Sequence, residues 1–236
     1  MCLFFYLFFS YVRFYHYIGH NNLKSPYTNN SLTLENKQLD GTVSYIALGD
    51  SLSAGVGSTY LTETFAYIYA SNLSNIYGKI VLTNLAQSGG TTTDVINNQL
   101  TETINQDPDY ITLLIGLNDM HNKRTIKEFY KNYLYILSEL TSKTDAQITV
   151  LNIPYLGSRK IVYPPFGFLL NWRTKQFNET IKNVVNDVGY KDRVELIDLY
   201  NSTYSLSKSN PDYYSPDEFH PSGKGYIIWG NLINEH

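Results

Sequence analysis

Five short apolar runs recur along the chain at Val43–Leu48, Ile80–Leu85, Tyr110–Ile115, Ile148–Ile153 and Val194–Leu199. Each is rich in β-branched or aromatic residues, and most are too apolar throughout to be strands with one solvated face. Helix-length segments with 3.6-residue periodicity lie between them. Phe65, Ile68, Tyr69 and Leu73 make one stripe, Phe129, Tyr133, Ile136, Leu137 and Leu140 a second, and Ile181, Val184, Val185 and Val188 a third. Strands alternating with helices point to a parallel, doubly wound α/β sheet. Right-handed crossovers then bring the carboxyl ends of all five strands to one edge, where such folds bind ligands.

The 236 residues fit one domain, and 43% apolar and 15% aromatic residues suffice for a sizeable core. With a net charge of −3 and no Lys/Arg run longer than two, a nucleic-acid partner is not expected. Cys2 is the single cysteine, so an intrachain disulfide and a cysteine-based zinc site are excluded. Residues 1–20 begin "MCLFFYLFFSYV", an apolar segment that reads as a signal or anchor and makes the chain a candidate for export or anchoring. Membrane contact, if any, is expected only there. Residues 21–40 are polar and read as a linker into a domain spanning 41–236.

The loops at the strand ends carry the chemistry. After the first strand comes Gly49-Asp50-Ser51, after the second "AQSGGTT", after the third "GLND", and after the fifth a loop leading to "DEFHPSGKGY". Those loops supply a hydroxyl, a glycine backbone, a side-chain amide, and a carboxylate with an imidazole. Such a set suits acyl transfer. Ser51 needs a base, His220 has a suitable side chain, and Asp217, three residues earlier, is close enough to orient it. The backbone N–H groups of Ser51 and Gly89 and the amide of Asn118 are candidate donors to an oxyanion. Asp50 reads as a brace for the turn, Gly90 as a plain turn residue, Asp119 as a helix cap, and Ser222 as the cap of a last helix.

The blocks "GDSLSAG", "NLAQSGGTT", "IGLND" and "DEFHPS", in this order over residues 43 to 236, resemble those of the SGNH or GDSL-type esterases and lipases. The resemblance implies a three-layer α/β/α sandwich with a five-stranded, flavodoxin-like parallel sheet. It implies Ser51 as nucleophile, Asp217 and His220 completing a triad, Gly89 and Asn118 in the oxyanion hole, and neither metal nor cofactor. The substrate is then a small-molecule, lipid or carbohydrate ester. An acyltransferase or a carbohydrate O-acetyl esterase would use the same triad, and a non-catalytic surface-binding domain is a third alternative. The segment 155–172, rich in Gly, Pro and aromatics, is expected as a loop at the same edge, walling an acyl pocket.

Overall fold

The computed structural model describes residues 2–19, 23–155, 157–158, 160–189 and 192–234. Six strands form the central sheet: β1 (Ser31–Glu35), β2 (Gly41–Gly49), β3 (Gly78–Asn84), β4 (Tyr110–Leu114), β5 (Gln147–Leu151) and β6 (Val194–Ile197). Their order is β1-β3-β2-β4-β5-β6. All five apolar runs are strands, and β2 to β6 pair in parallel.

The sixth strand corrects the five-stranded expectation. β1 lies within the stretch read as a linker and pairs antiparallel with β3, Ser31 opposite Thr83 and Glu35 opposite Lys79. Leu32 and Leu34 pack on the core while Ser31, Thr33 and Glu35 are exposed. Two leucines at period two among polar neighbours are enough for an edge strand, because only one face has to be covered.

The helices are α1 (Cys2–Gly19), α2 (Phe65–Tyr77), α3 (Thr92–Asp94), α4 (Leu100–Gln106), α5 (Leu117–His121), α6 (Ile126–Lys143), α7 (Phe166–Val188), α8 (Leu199–Ser209) and α9 (Gly223–Asn234). A π-helical turn, Val95–Gln99, joins α3 to α4. α2 packs against α9 and α6 against α7. Right-handed crossovers in opposite directions from β2 place these two pairs on opposite faces, making the three layers. α6 begins at a capping box in which the Glu128 N–H donates to Thr125 Oγ1 (3.2 Å) and the Thr125 N–H to Glu128 Oε2 (3.1 Å). Its stripe, Phe129, Tyr133, Ile136, Leu137 and Leu140, is fully buried as its spacing predicts.

The chain leaves β2 toward β3 and leaves β4 toward β5, so the strand order reverses between β2 and β4. The crevice beyond their carboxyl ends is where a doubly wound sheet offers a site. Ser51 follows β2 and Asn118 follows β4 there.

The apolar amino-terminal segment is helix α1, which packs against α7 and buries Phe14 completely. Among the described residues no helix is long and apolar enough to cross a membrane.

Candidate active site

The turn after β2 is tightly specified. Gly49 has φ +143°, and a Cβ there would stand 2.1 Å from the Leu114 carbonyl oxygen. Its peptide groups are held by the buried Gln99: the Gly49 N–H donates to Gln99 Oε1 (2.9 Å) and Gln99 Nε2 donates to the Gly49 carbonyl (2.9 Å). The chain then curls into a helical turn, Ala54 N–H donating to the Asp50 carbonyl and Val56 N–H to that of Ser51. Ser53 Oγ donates back to the Leu48 carbonyl (2.9 Å). The small residues after Ser51 let this turn pack tightly, and they leave Ser51 at the site, 8% exposed.

Ser51 Oγ lies 2.9 Å from His220 Nε2, and His220 Nδ1 lies 2.5 Å from Asp217 Oδ2. The structure thus brings the three sequence-predicted residues into one hydrogen-bonded series, with Ser51 and His220 169 positions apart in the chain. Asp217 also organises the loop. Its Oδ1 accepts from the backbone N–H groups of Phe219 and His220 (both 2.9 Å) and from Ser215 Oγ (2.8 Å). Burial pushes this carboxyl up, but the hydrogen bond and charge of His220, with those backbone and hydroxyl donors, leave it below the ordinary value.

Asn118 Nδ2 donates to the Gly90 carbonyl (2.9 Å) and stands 3.5 Å from Asp50 Oδ2. Gly89 is exposed with φ +78°, in the turn that the Gly90 N–H closes on the Gln87 carbonyl (2.9 Å). Asp50 is the expected brace: fully buried, its Oδ1 accepts from the Leu52 N–H (2.9 Å). Burial pushes its carboxyl up to about 7, the Leu52 N–H offsets part of this, and the nearby Asp119 adds to it. Asp119 was expected as a helix cap, but it lies in the first turn of α5, whose cap is Gly116; its carboxylate ties α5 to α3, accepting from Thr92 N–H (2.8 Å) and Thr92 Oγ1 (2.6 Å), and pairs with Arg124 (2.8 Å). Ser222 caps α9, its Oγ accepting from the Gly225 N–H (3.3 Å).

Three positioning residues escaped the sequence reading. Gln99 sits in the π-helical turn, and nothing local marks it as the clamp on Gly49. Ser215 anchors Asp217. Gly57 has φ +101°, and a Cβ there would lie 2.4 Å from the Pro221 carbonyl oxygen and 2.9 Å from His220 Cβ. It is the residue that lets the serine turn nest against the histidine loop. "GVG" at 55–57 was a visible signal, but only the folded contact gives it meaning.

The expected loop at 155–172 is loop only in part, since α7 begins at Phe166. It is tied to the histidine loop by the Ser158 N–H, which donates to the Glu218 carbonyl (2.7 Å).

A serine, an imidazole and a carboxylate in series at the carboxyl edge of a three-layer sandwich fit the class of ester hydrolases. Within that class the chain belongs to the GDSL-like lipase/acylhydrolase family, whose model matches residues 47–228. Solved structures of similar fold include a lipase from a goat rumen metagenome, at 21% identity and TM-score 0.66 over 82% of this chain and 96% of that one. A lipase/acylhydrolase from Enterococcus faecalis gives 20% and 0.62 over 82% and 94%. An acetylxylan esterase from Geobacillus stearothermophilus gives 17% and 0.63 over 82% and 93%. No curated protein matches by sequence. The chain is an ester hydrolase by family.

Proposed function

We propose that the chain hydrolyses carboxylic esters through an acyl-Ser51 intermediate. The observation that carries this is the series Ser51 Oγ–His220 Nε2–Asp217, at 2.9 and 2.5 Å. Ser51 Oγ attacks the ester carbonyl carbon while His220 Nε2 takes its proton. Asp217 keeps the Nδ1 proton in place and stabilises the imidazolium that forms. The oxyanion takes hydrogen bonds from the Ser51 and Gly89 backbone N–H groups and from Asn118 Nδ2. The Asn118 amide has two N–H groups. The Gly90 carbonyl holds one at 2.9 Å, which orients the group, and the second, at the 3.5 Å limit from Asp50, is left to the oxyanion. Collapse breaks the ester C–O bond, and His220 returns its proton to the departing alkoxide. Water, deprotonated by His220, then attacks the acyl-enzyme and releases the acid and Ser51.

Short to medium acyl chains are the preferred substrates, with a carbohydrate O-acetyl ester or transfer to an alcohol acceptor as the competing uses of the same triad. A panel of p-nitrophenyl and acetylated-sugar esters, run with and without an added alcohol acceptor, separates them. Ser51→Ala should abolish every one of these activities while the protein still melts cooperatively. Wild-type turnover in that variant overturns the assignment.

A further inference from the structure

Helix α1 is attached to the domain along a short stretch. Phe5, Phe8 and Phe9 face solvent, Phe9 at 64% exposure, whereas Phe14 is 0% exposed. Tyr11 meets the edge of Phe166 at 6.0 Å, and the Arg13 guanidinium lies 5.2 Å from the centre of the Tyr163 ring. A helix that leaves several of its aromatic side chains in water nonetheless inserts one of them fully into the domain.

The slot that receives Phe14 lies behind the elements that carry His220 and Asn118. The Phe14 ring centre lies 5.5 Å from Phe166, 5.6 Å from His121 and 5.8 Å from Phe219. Phe219 directly precedes His220, and their rings are 5.1 Å apart. His121 is on α5, the short helix that carries Asn118. The slot therefore lies one ring beyond the imidazole that touches Ser51, with Phe219 between them, flanked by the histidine loop and by the helix that carries Asn118. A hollow of about 280 Å³ shares His121 and Phe166 with the slot and is lined further by Met120, Leu169, Leu170 and Trp172, by Tyr11 of α1, and by Lys123 and Arg173.

An acyl group on Ser51 needs an apolar path away from the carbonyl carbon. An aromatic slot left open there would otherwise be a solvent-exposed apolar hole. The geometry points to this slot as the acyl-chain site, with α1 closing it through Phe14. In this closed form the enzyme accepts acetyl-sized acyl groups, and withdrawal of Phe14 opens the path to medium-chain, straight acyl groups. The inference rests on the ester-hydrolase reading above and adds to it where the acyl chain goes and which of the chain's own residues competes for that place.

The test is the ratio of kcat/KM for p-nitrophenyl octanoate to that for p-nitrophenyl acetate, measured on the full chain and on its Phe14→Ala and Phe14→Leu variants. Phe14→Ala should raise the ratio by about tenfold or more, because each methylene newly buried in an apolar slot strengthens binding several-fold. Phe14→Leu should raise it less. A ratio that stays at the wild-type value in variants that melt cooperatively overturns the slot assignment while acetate cleavage keeps the ester-hydrolase reading. Loss of the cooperative melt in both variants makes Phe14 an ordinary core residue and overturns the assignment as well. Failure of every form to cleave either ester overturns both readings.

Discussion

Two buried carboxylates beside the reacting groups respond to pH in opposite senses. Asp217 is held below its ordinary value, so the folded protein binds its proton less readily than the unfolded chain. Its contribution to stability is complete above the unfolded value, about 4, and is lost as pH falls below that. Asp50 is pushed up to about 7. Between about 4 and 7 the unfolded chain ionises this carboxyl and the native state does not, so its stabilising effect disappears as pH rises through that window. Asp50→Asn keeps an oxygen for the Leu52 N–H and removes the ionisation. The Tm of the variant relative to wild type should therefore be higher at pH 8 than at pH 5, by several degrees. A difference that is flat between the two pH values would mean that Asp50 is ionised in the native state. In the proposed mechanism, His220 moves the proton, whereas Asp217 moves none and only orients the imidazole and stabilises the imidazolium. Asp217→Ala should lose about tenfold less kcat/KM than His220→Ala, and the double variant should be no worse than His220→Ala alone. Fully additive losses would separate Asp217 from the triad. Asn118→Ala should lower kcat by roughly 10²–10³ with little change in KM, read from a steady-state comparison on one ester.

At the scale of elements, the serine turn and the histidine loop depend on each other through Gly57. A methyl group there would meet both the Pro221 carbonyl and His220 Cβ at a φ of +101°. Gly57→Ala should push the imidazole away from Ser51, lowering kcat by about tenfold or more while KM moves little, and it should also lower Tm. Unchanged kcat would show that the two loops tolerate separation. The elements differ in how far the sequence revealed them. The five core strands are continuous apolar runs because both faces of a parallel sheet are covered, and that pattern is local. The α6 stripe was legible for the same reason. β1 was not, because its two leucines among polar residues carry meaning only when β3 offers an unpaired edge. α1 was legible as an apolar segment, but its seat on α7 was not, since its hydrophobicity alone does not name its neighbour. Gln99 and Ser215 were illegible because each acts on a residue that the fold, not the local sequence, puts beside it.

Across the whole molecule, one serine among many should react. A fluorophosphonate should leave a single adduct in the intact mass, absent in Ser51→Ala and strongly slowed in His220→Ala. Labelling spread over several serines, or unaffected by either change, would contradict a site assembled around Ser51. That selectivity marks the division between what is written along the chain and what folding adds. By itself the sequence determined the α/β alternation and the single sheet edge toward which the loops point, and it nominated Ser51, Gly89, Asn118, Asp217 and His220 as candidates for the site. Hydrophobic periodicity and turn residues are local properties, and residue types at strand ends can be read without coordinates. Only the tertiary structure decided that Ser51 and His220 stand 2.9 Å apart across 169 positions, that Gln99 clamps Gly49, that β1 extends the sheet, and that Phe14 fills a slot beside the histidine. These are contacts between segments distant in sequence. They arise when the buried faces of the sheet and its helices are brought together, and no periodicity along one segment encodes the partner it will meet.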